Sequence, residues 1–285
     1  MHRADKLPQF LIIGAQKCGT SWLHACLREH SAVFLPADKD NEIDFRQPEQ
    51  LAILLQRLSL RGEQQWVGDA CAAWFWTRRG DDPVIGQPRN IVDDIADVLG
   101  TETKLMVLVR DPIQRAISGY LHHIQQGSLH PDCSILEANP ALGIVTLSRY
   151  GYHLHNWLQR FPAEKIIVLP APAEADTDEI FHQVLRFLQL EVPDPAITTD
   201  RHVMPGLRKV MREDGVWVKL DNTQARHWQR NIPITQIDQH THARLISNNE
   251  IETLVATLAE DTRWFLQQAG ELDWWHPAFS KWYTE

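Results

Sequence analysis

Residues 10–22 constrain this chain most, because an apolar run leads through a glycine turn into a helical pattern. The run up to Gly14 predicts a buried strand, and the residues from Thr20 onward have the periodicity of an amphipathic helix. A tight turn between such elements points backbone N–H groups at one place, which favours phosphate binding. Gly14 and Gly19 have phosphate-loop spacing, but Thr20 stands where nucleoside triphosphatases carry lysine. The lysine here is Lys17, inside the loop.

A second strand-to-helix segment covers residues 104–120. Pro112 fits the first position of its helix, and Asp111 fits the cap before it. Arg110 ends the strand, at the edge where open parallel sheets bind ligands. Ser118 follows about 9 Å along the helix at 1.5 Å per residue. The sequence therefore predicts two anion sites, one at each strand end. The alternative is a salt-bridged Arg110 and a serine on the helix surface.

Short apolar runs alternate with helical periodicity along the chain, which predicts an α/β fold, a three-layer sandwich with a central parallel sheet. Strands are predicted at 10–14, 104–109 and 165–169, with a weaker candidate at 66–70. Helices are predicted at about 20–30, 49–59, 89–99, 112–126, 147–160, 176–189 and 249–269. We expect one domain over residues 1–285, with a core at about 8–190 and a loop and helical elaboration at about 191–285. Proline and glycine predict a mobile excursion at 127–146 and a long surface loop at 191–216.

Composition narrows the class of protein. No apolar run approaches the length of a membrane span, and the polar N-terminus does not resemble a signal peptide. The four cysteines lack a Cys-x-x-Cys pair, which favours reduced thiols and a cytoplasmic location. A net charge of −9 argues against nucleic acid and heparin-like polyanions as partners. The histidines lack the neighbours of a metal site.

The motifs together resemble the sulfotransferases that use 3′-phosphoadenosine 5′-phosphosulfate as donor. Residues 16–21, Gln-Lys-Cys-Gly-Thr-Ser, resemble the 5′-phosphosulfate loop of that family. Residues 110–120 resemble its 3′-phosphate signature, and residues 41–45 resemble the Lys-Glu-x-x-Phe-Phe segment that carries the catalytic carboxylate in heparan-sulfate-type and many bacterial members. The resemblance covers roughly residues 8–190, and more loosely the rest, and implies the P-loop sulfotransferase fold. Because animal members of this type usually carry a membrane anchor and none is seen in this sequence, a bacterial enzyme is expected.

The resemblance also implies roles for individual residues. Lys17 is expected to balance charge on the leaving phosphate, and Glu42 to act as general base toward the acceptor. No metal is expected to be required. The residues expected to bind the donor are Gln16, Lys17, Cys18, Gly19, Thr20, Ser21, Trp22, Arg110, Ser118, Arg208 and Lys209.

Departures from the family pattern keep alternatives open. Asn41 stands where lysine is usual, Arg46 replaces the second aromatic residue, and Asp69 lies in a segment that has lost the family's Ser-Pro. Asp69 is either an orienting carboxylate or a strand-end cap, and Glu42 is alternatively an exposed residue of a charged loop. The rival functions are a small-molecule kinase and a nucleotide-binding protein without catalysis. The expected acceptor is a hydroxyl or amine of a carbohydrate or small molecule.

Overall fold

The computed structural model divides the chain into two compact units, one formed by residues 1–110 and 152–204 and the other by 111–151 and 205–285. The described residues are 7–39, 43–60, 62–77, 90–126, 128–130, 133–172, 175–193, 197, 199, 210–213, 216–219 and 246–269. The expectation of a single domain with an elaboration after residue 190 stays a prediction.

The first unit is built on a five-stranded parallel sheet with the order β2-β3-β1-β4-β5. Its strands are β1 (Phe10–Gly14), β2 (Val33–Phe34), β3 (Trp66–Ala70), β4 (Lys104–Val109) and β5 (Ile166–Pro170). The predicted strands are confirmed, including the weak candidate at 66–70. The sequence missed β2, because two residues are too few to show a period.

Both faces of the sheet centre are covered. Every residue of β1 is buried, and so is every residue of β4 after Lys104. Since consecutive side chains of a strand point to opposite faces, a fully buried strand needs packing on both sides. This burial pattern is that of the middle layer of a three-layer α/β sandwich.

The helices follow the predicted pattern closely. They are α1 (Thr20–Glu29), α2 (Pro48–Leu58), α3 (Ile91–Leu99), α4 (Pro112–Gln126), α5 (Tyr150–Leu158), α6 (Thr177–Leu188) and α7 (Asn248–Ala269). Within the described ranges, none of these helices is both long enough and apolar enough to cross a membrane.

The second unit contains α4, α7 and an antiparallel pair, β6 (Val210–Glu213) and β7 (Val216–Lys219). The prediction of a long surface loop over 191–216 is therefore wrong near its end, where β6 forms. The predicted excursion at 127–146 holds side chains that are almost fully buried, among them Ile135 and Ile144. These side chains are therefore removed from solvent.

Candidate functional site

The strand order brings three predicted features to one edge of the sheet. In a parallel sheet all carboxyl ends meet at the same edge, and β1 lies between β3 and β4. The turn after β1 is therefore flanked by Asp69, near the end of β3, and by Arg110, directly after β4. An anion at this edge would meet the turn in the middle and the arginine beside it.

Backbone geometry fixes the turn between β1 and α1. Lys17 has φ 69° and Gly19 has φ 94°, so two positions lie in the left-handed region. The amide of Cys18 donates to the carbonyl of Ala15 at 3.1 Å, and the amide of Ala15 donates to the carbonyl of Leu108 on β4 at 2.8 Å. These bonds close the turn and tie it to the neighbouring strand.

The N-terminus of α1 suits a negative charge. Its cap, Gly19, has no side chain to accept from the first amides, and the first turn holds no acidic residue. The first amides of a helix have no partner within the helix and carry the positive end of its dipole. The arrangement can therefore hold a phosphate through backbone N–H groups.

The two glycines of the predicted phosphate loop are required by close contacts. A Cβ on Gly14 would lie 2.5 Å from the Cβ of Phe75. A Cβ on Gly19 would lie 2.3 Å from the Cδ of Pro172, which follows β5. The Gly-x-x-x-x-Gly spacing therefore reflects tight packing of the turn in addition to its backbone conformation.

The side chains of the loop differ in exposure. Cys18 and Thr20 are buried, Gln16 and Lys17 are half-buried, and Ser21 is exposed. Their assignment to the donor stays a prediction.

Trp22 contributes to packing through its side chain. Its indole is almost fully buried and donates to the carbonyl of Thr199 at 2.9 Å, while its amide donates to the carbonyl of Gly19 at 2.9 Å. Both of these N–H groups thus have protein acceptors.

The predicted second anion segment has the expected local structure. α4 begins at Pro112, and Oδ1 of Asp111 accepts from the amides of Ile113 and Gln114, both at 2.9 Å. The predicted cap and first helical residue are confirmed. Arg110 and Ser118 are both half-buried.

Arg115 has a packing role within the second unit. Its side chain is fully buried, and its Nε donates to Oγ of Ser148 at 2.8 Å. Its guanidinium also donates to the carbonyls of Gly143 and Ile144. These bonds hold residues 143–148 against α4.

Three predicted site residues, Glu42, Arg208 and Lys209, lie outside the described residues. The chain on both sides of Glu42 belongs to the β2–α2 connection, residues 35–47, of which 35–39 and 43–47 are described. On the later side, Phe45 is buried against Trp74 with ring centroids 5.6 Å apart.

Arg46 also anchors the later side of the connection. It forms an ion pair with the buried carboxylate of Asp94 on α3. The arginine that departs from the family's aromatic pattern is thus engaged in packing this side of the connection.

Asp69 forms an ion pair that sequence reasoning missed. Nη1 of Arg57, on α2, lies 3.1 Å from Oδ2 of Asp69, and Nη2 lies 3.4 Å from Oδ1. Oδ1 also accepts from the amide of Ala70 at 2.8 Å. Burial raises the pKa of Asp69 from 3.8 to about 6, although the Arg57 charge and the Ala70 amide oppose this shift. Asp69 is therefore both ion-paired and bonded to the strand end.

Within the described ranges, no cluster of three or more histidine, cysteine, aspartate and glutamate side chains could hold a metal ion.

Comparison with known proteins agrees with the motifs. A family model described as "Sulfotransferase domain" matches residues 7–203. Heparan sulfate glucosamine 3-O-sulfotransferase 3A1 of Mus musculus is 29% identical over 211 residues, which cover 70% of this chain and 49% of that protein. Carbohydrate sulfotransferase 15 of Rattus norvegicus is 25% identical over 246 residues, covering 65% of this chain and 44% of its own. The chain thus spans about half the length of these relatives.

A solved structure confirms the predicted fold class. The crystal structure of a sulfotransferase from Alicyclobacillus acidocaldarius superposes with a TM-score of 0.62, covering 97% of this chain and 99% of that chain. At 16% sequence identity the likeness concerns the fold alone.

Proposed function

The chain belongs to the sulfotransferase family, and we propose that it transfers a sulfuryl group from 3′-phosphoadenosine 5′-phosphosulfate to a hydroxyl or amine of a carbohydrate or small-molecule acceptor. The observation that carries the proposal is the shared sheet edge, where the glycine turn after β1 lies beside Arg110 at the end of β4. One nucleotide with phosphates at both ends suits such a pair of positive sites.

The turn is the proposed site of the 5′-phosphate. The amides at the start of α1 would bind its oxygens, and residues 16–22 would line it. Lys17 is the proposed stabiliser of the bridging oxygen, which gains charge as the S–O bond breaks. The left-handed backbone at Lys17 and the close contact at Gly19 support this turn as a fixed cradle.

The 3′-phosphate is assigned to Arg110 by its position after β4 and by the sequence signature of residues 110–120. Ser118 is assigned to the same phosphate on the signature alone. Arg208 and Lys209 are proposed to bind the donor from later in the chain, again on family resemblance. No metal is part of the proposed reaction, because a transferred group with one negative charge needs less neutralisation than a terminal phosphate.

The proposed step is a direct in-line displacement. The acceptor atom attacks sulfur, the bond from sulfur to the bridging oxygen breaks, and adenosine 3′,5′-bisphosphate leaves with that electron pair. Glu42 takes the proton of the acceptor as the new bond forms. The products are a sulfated acceptor and the bisphosphate.

The acceptor is proposed from the names of the relatives, which refer to heparan sulfate glucosamine and to carbohydrate. A carbohydrate is therefore the first class to test. The net charge of −9 favours a short or weakly charged acceptor over a long polyanion. A cytoplasmic location and a bacterial origin stay predictions.

The test has two parts. Titration calorimetry should detect binding of adenosine 3′,5′-bisphosphate and none of ATP with magnesium, whereas the reverse would support a kinase. Transfer of radiolabelled sulfate is then screened over desulfated heparan oligosaccharides, uncharged oligosaccharides and phenols. Glu42→Gln should bind the bisphosphate like the wild type and lose about 10²–10⁴-fold in transfer. Full transfer activity in the Glu42→Gln enzyme would show that Glu42 is not the base.

A further inference from the structure

The β2–α2 connection is attached to the helices α1 and α2 by side chains that the proposed chemistry does not use. On its earlier side, residues 35–39, the carbonyl of Pro36 lies 2.9 Å from Nε2 of His24 on α1. The carbonyl of Asp38 accepts from Nη2 of Arg57 on α2 at 2.7 Å. α1 is the helix that begins at the phosphate loop, so one of these bonds joins the connection to the donor side of the site.

Arg57 contacts two elements at the same time. In addition to the bond to the Asp38 carbonyl, Nε of Arg57 lies 3.4 Å from Oδ2 of Asp38, and Nη1 and Nη2 contact the two carboxylate oxygens of Asp69 on β3. Its side chain is 13% exposed, that of Asp69 is 2% exposed, and that of Asp38 is 65% exposed. The guanidinium therefore bridges a buried carboxylate at the sheet edge and the outer part of the connection.

The geometry of arginine suits this bridge. A guanidinium has five N–H donors in a rigid fork, so it can bind a carboxylate with two parallel bonds and still reach a carbonyl. An ammonium group at this position could neutralise Asp69 but has no fork with which to hold both partners in the same way. The bridge thus depends on the shape of the arginine as well as on its charge.

We propose that Arg57, held by Asp69, is a positioning residue for sulfuryl transfer, because it fixes the chain just before Glu42 against the end of β3. The proposal rests on the proposed function, in which Glu42 is the base. Asp38 is four residues before Glu42 in the sequence. A base that is misplaced by a small distance loses much of its rate advantage, while binding of the donor is unaffected.

The test compares Arg57→Lys with the wild type and with Arg160→Gln. Arg57→Lys keeps a positive charge beside Asp69, so the variant retains the partner of the buried carboxylate. Arg160 is a matched control, since it also bridges two carboxylates, Asp93 and Asp97, but both lie on α3. Full-length proteins are measured by amide hydrogen exchange, by calorimetry with adenosine 3′,5′-bisphosphate, and by sulfate transfer.

In Arg57→Lys, we expect exchange to become faster by about tenfold or more in peptides from residues 33–39 and to stay unchanged in peptides from residues 10–22. The transfer kcat should fall by about ten- to a hundredfold, with bisphosphate affinity within about twofold of wild type. Arg160→Gln should leave the exchange at residues 33–39, the transfer kcat and the bisphosphate affinity unchanged. Exchange at 33–39 equal to wild type, or wild-type kcat in Arg57→Lys, would overturn the proposal.

The failure of the proposed function can be distinguished from the failure of the positioning proposal. A wild-type protein that binds no bisphosphate and transfers sulfate to no acceptor would refute the sulfotransferase activity. The exchange comparison would still decide whether Arg57 fixes the connection. A fall in bisphosphate affinity equal to the fall in kcat would assign Arg57 a general structural role and would count against positioning.

Discussion

The glycine turn between β1 and α1 and the β2–α2 connection belong to the same unit but are held in different ways. The loop between Gly14 and Thr20 is fixed by its backbone, through two left-handed residues and main-chain bonds to its own turn and to β4. The connection is fixed by side chains from other elements, His24, Arg57, Trp74 and Asp94. A region fixed by its backbone is most sensitive at its glycines, whereas a region fixed by side chains is most sensitive at distant partners.

The largest effect is expected at Gly19, in the turn that is fixed by its backbone. Alanine at Gly19 would place Cβ 2.3 Å from Cδ of Pro172 at a φ of +94°. We expect Gly19→Ala to weaken binding of adenosine 3′,5′-bisphosphate by about a thousandfold, or about 4 kcal/mol, as measured by calorimetry.

Gly100 provides the control for Gly19. It has φ +87°, and a Cβ added there would meet no described atom within 4 Å beyond its chain neighbours. Gly100 combines this φ with ψ 157°, a conformation that is essentially restricted to glycine, so Gly100→Ala should cost about 1–3 kcal/mol of stability and leave the affinity unchanged. Normal affinity in Gly19→Ala would show that the loop is less rigid than its contacts indicate.

An intermediate effect is expected at Asp69, which holds the β2–α2 connection through Arg57 and whose contribution to stability depends on pH. Burial raises the pKa of Asp69 from 3.8 to about 6. Between these two pH values the folded protein therefore holds a proton on Asp69 that the unfolded chain has released. The contribution of Asp69 protonation to the free energy of unfolding is complete below pH 3.8 and is lost as the pH rises through about 6. Since each pKa unit corresponds to about 1.4 kcal/mol, the loss is about 3 kcal/mol.

Asp69→Asn removes this titration and isolates its contribution. Urea unfolding at a series of pH values should show the variant gaining about 3 kcal/mol relative to wild type between acid and neutral pH. A constant offset from the altered Arg57 partner does not affect this change with pH. A difference that is flat across the range would contradict the raised pKa.

The smallest effect is expected at His24, which joins the two regions. His24→Leu removes the hydrogen bond to the Pro36 carbonyl, and we expect a loss of about 1 kcal/mol in unfolding free energy. His24→Gln, which keeps an N–H donor, should recover part of that loss. If His24→Leu left exchange at residues 33–39 unchanged, the bond would not hold the connection.

The features that could be predicted from the sequence are those formed by consecutive residues. β1, its turn and α1 occupy consecutive residues, so periodicity and glycine spacing were sufficient to predict them. Asp111 as a cap and Pro112 as the first residue of α4 were equally local, and both are confirmed. The fold class followed from the alternation of such segments.

The side-chain anchors could not be predicted in this way. Arg57 and Asp69 are twelve residues apart and belong to a helix and a strand. Their pairing depends on how α2 packs against β3, which no local pattern encodes. The β6–β7 pair was missed for a related reason, since its strands of four residues follow a stretch rich in proline and glycine.

Lys17 occupies a backbone conformation that glycine adopts without penalty, and a side chain there costs about 1 kcal/mol or more. Variants selected only for heat resistance should therefore tend to replace this lysine, whereas variants selected for turnover should retain it. Since Lys17 is the proposed stabiliser of the leaving phosphate, we expect stability and activity to oppose each other at position 17, and a stabilised version of this protein should be designed around it.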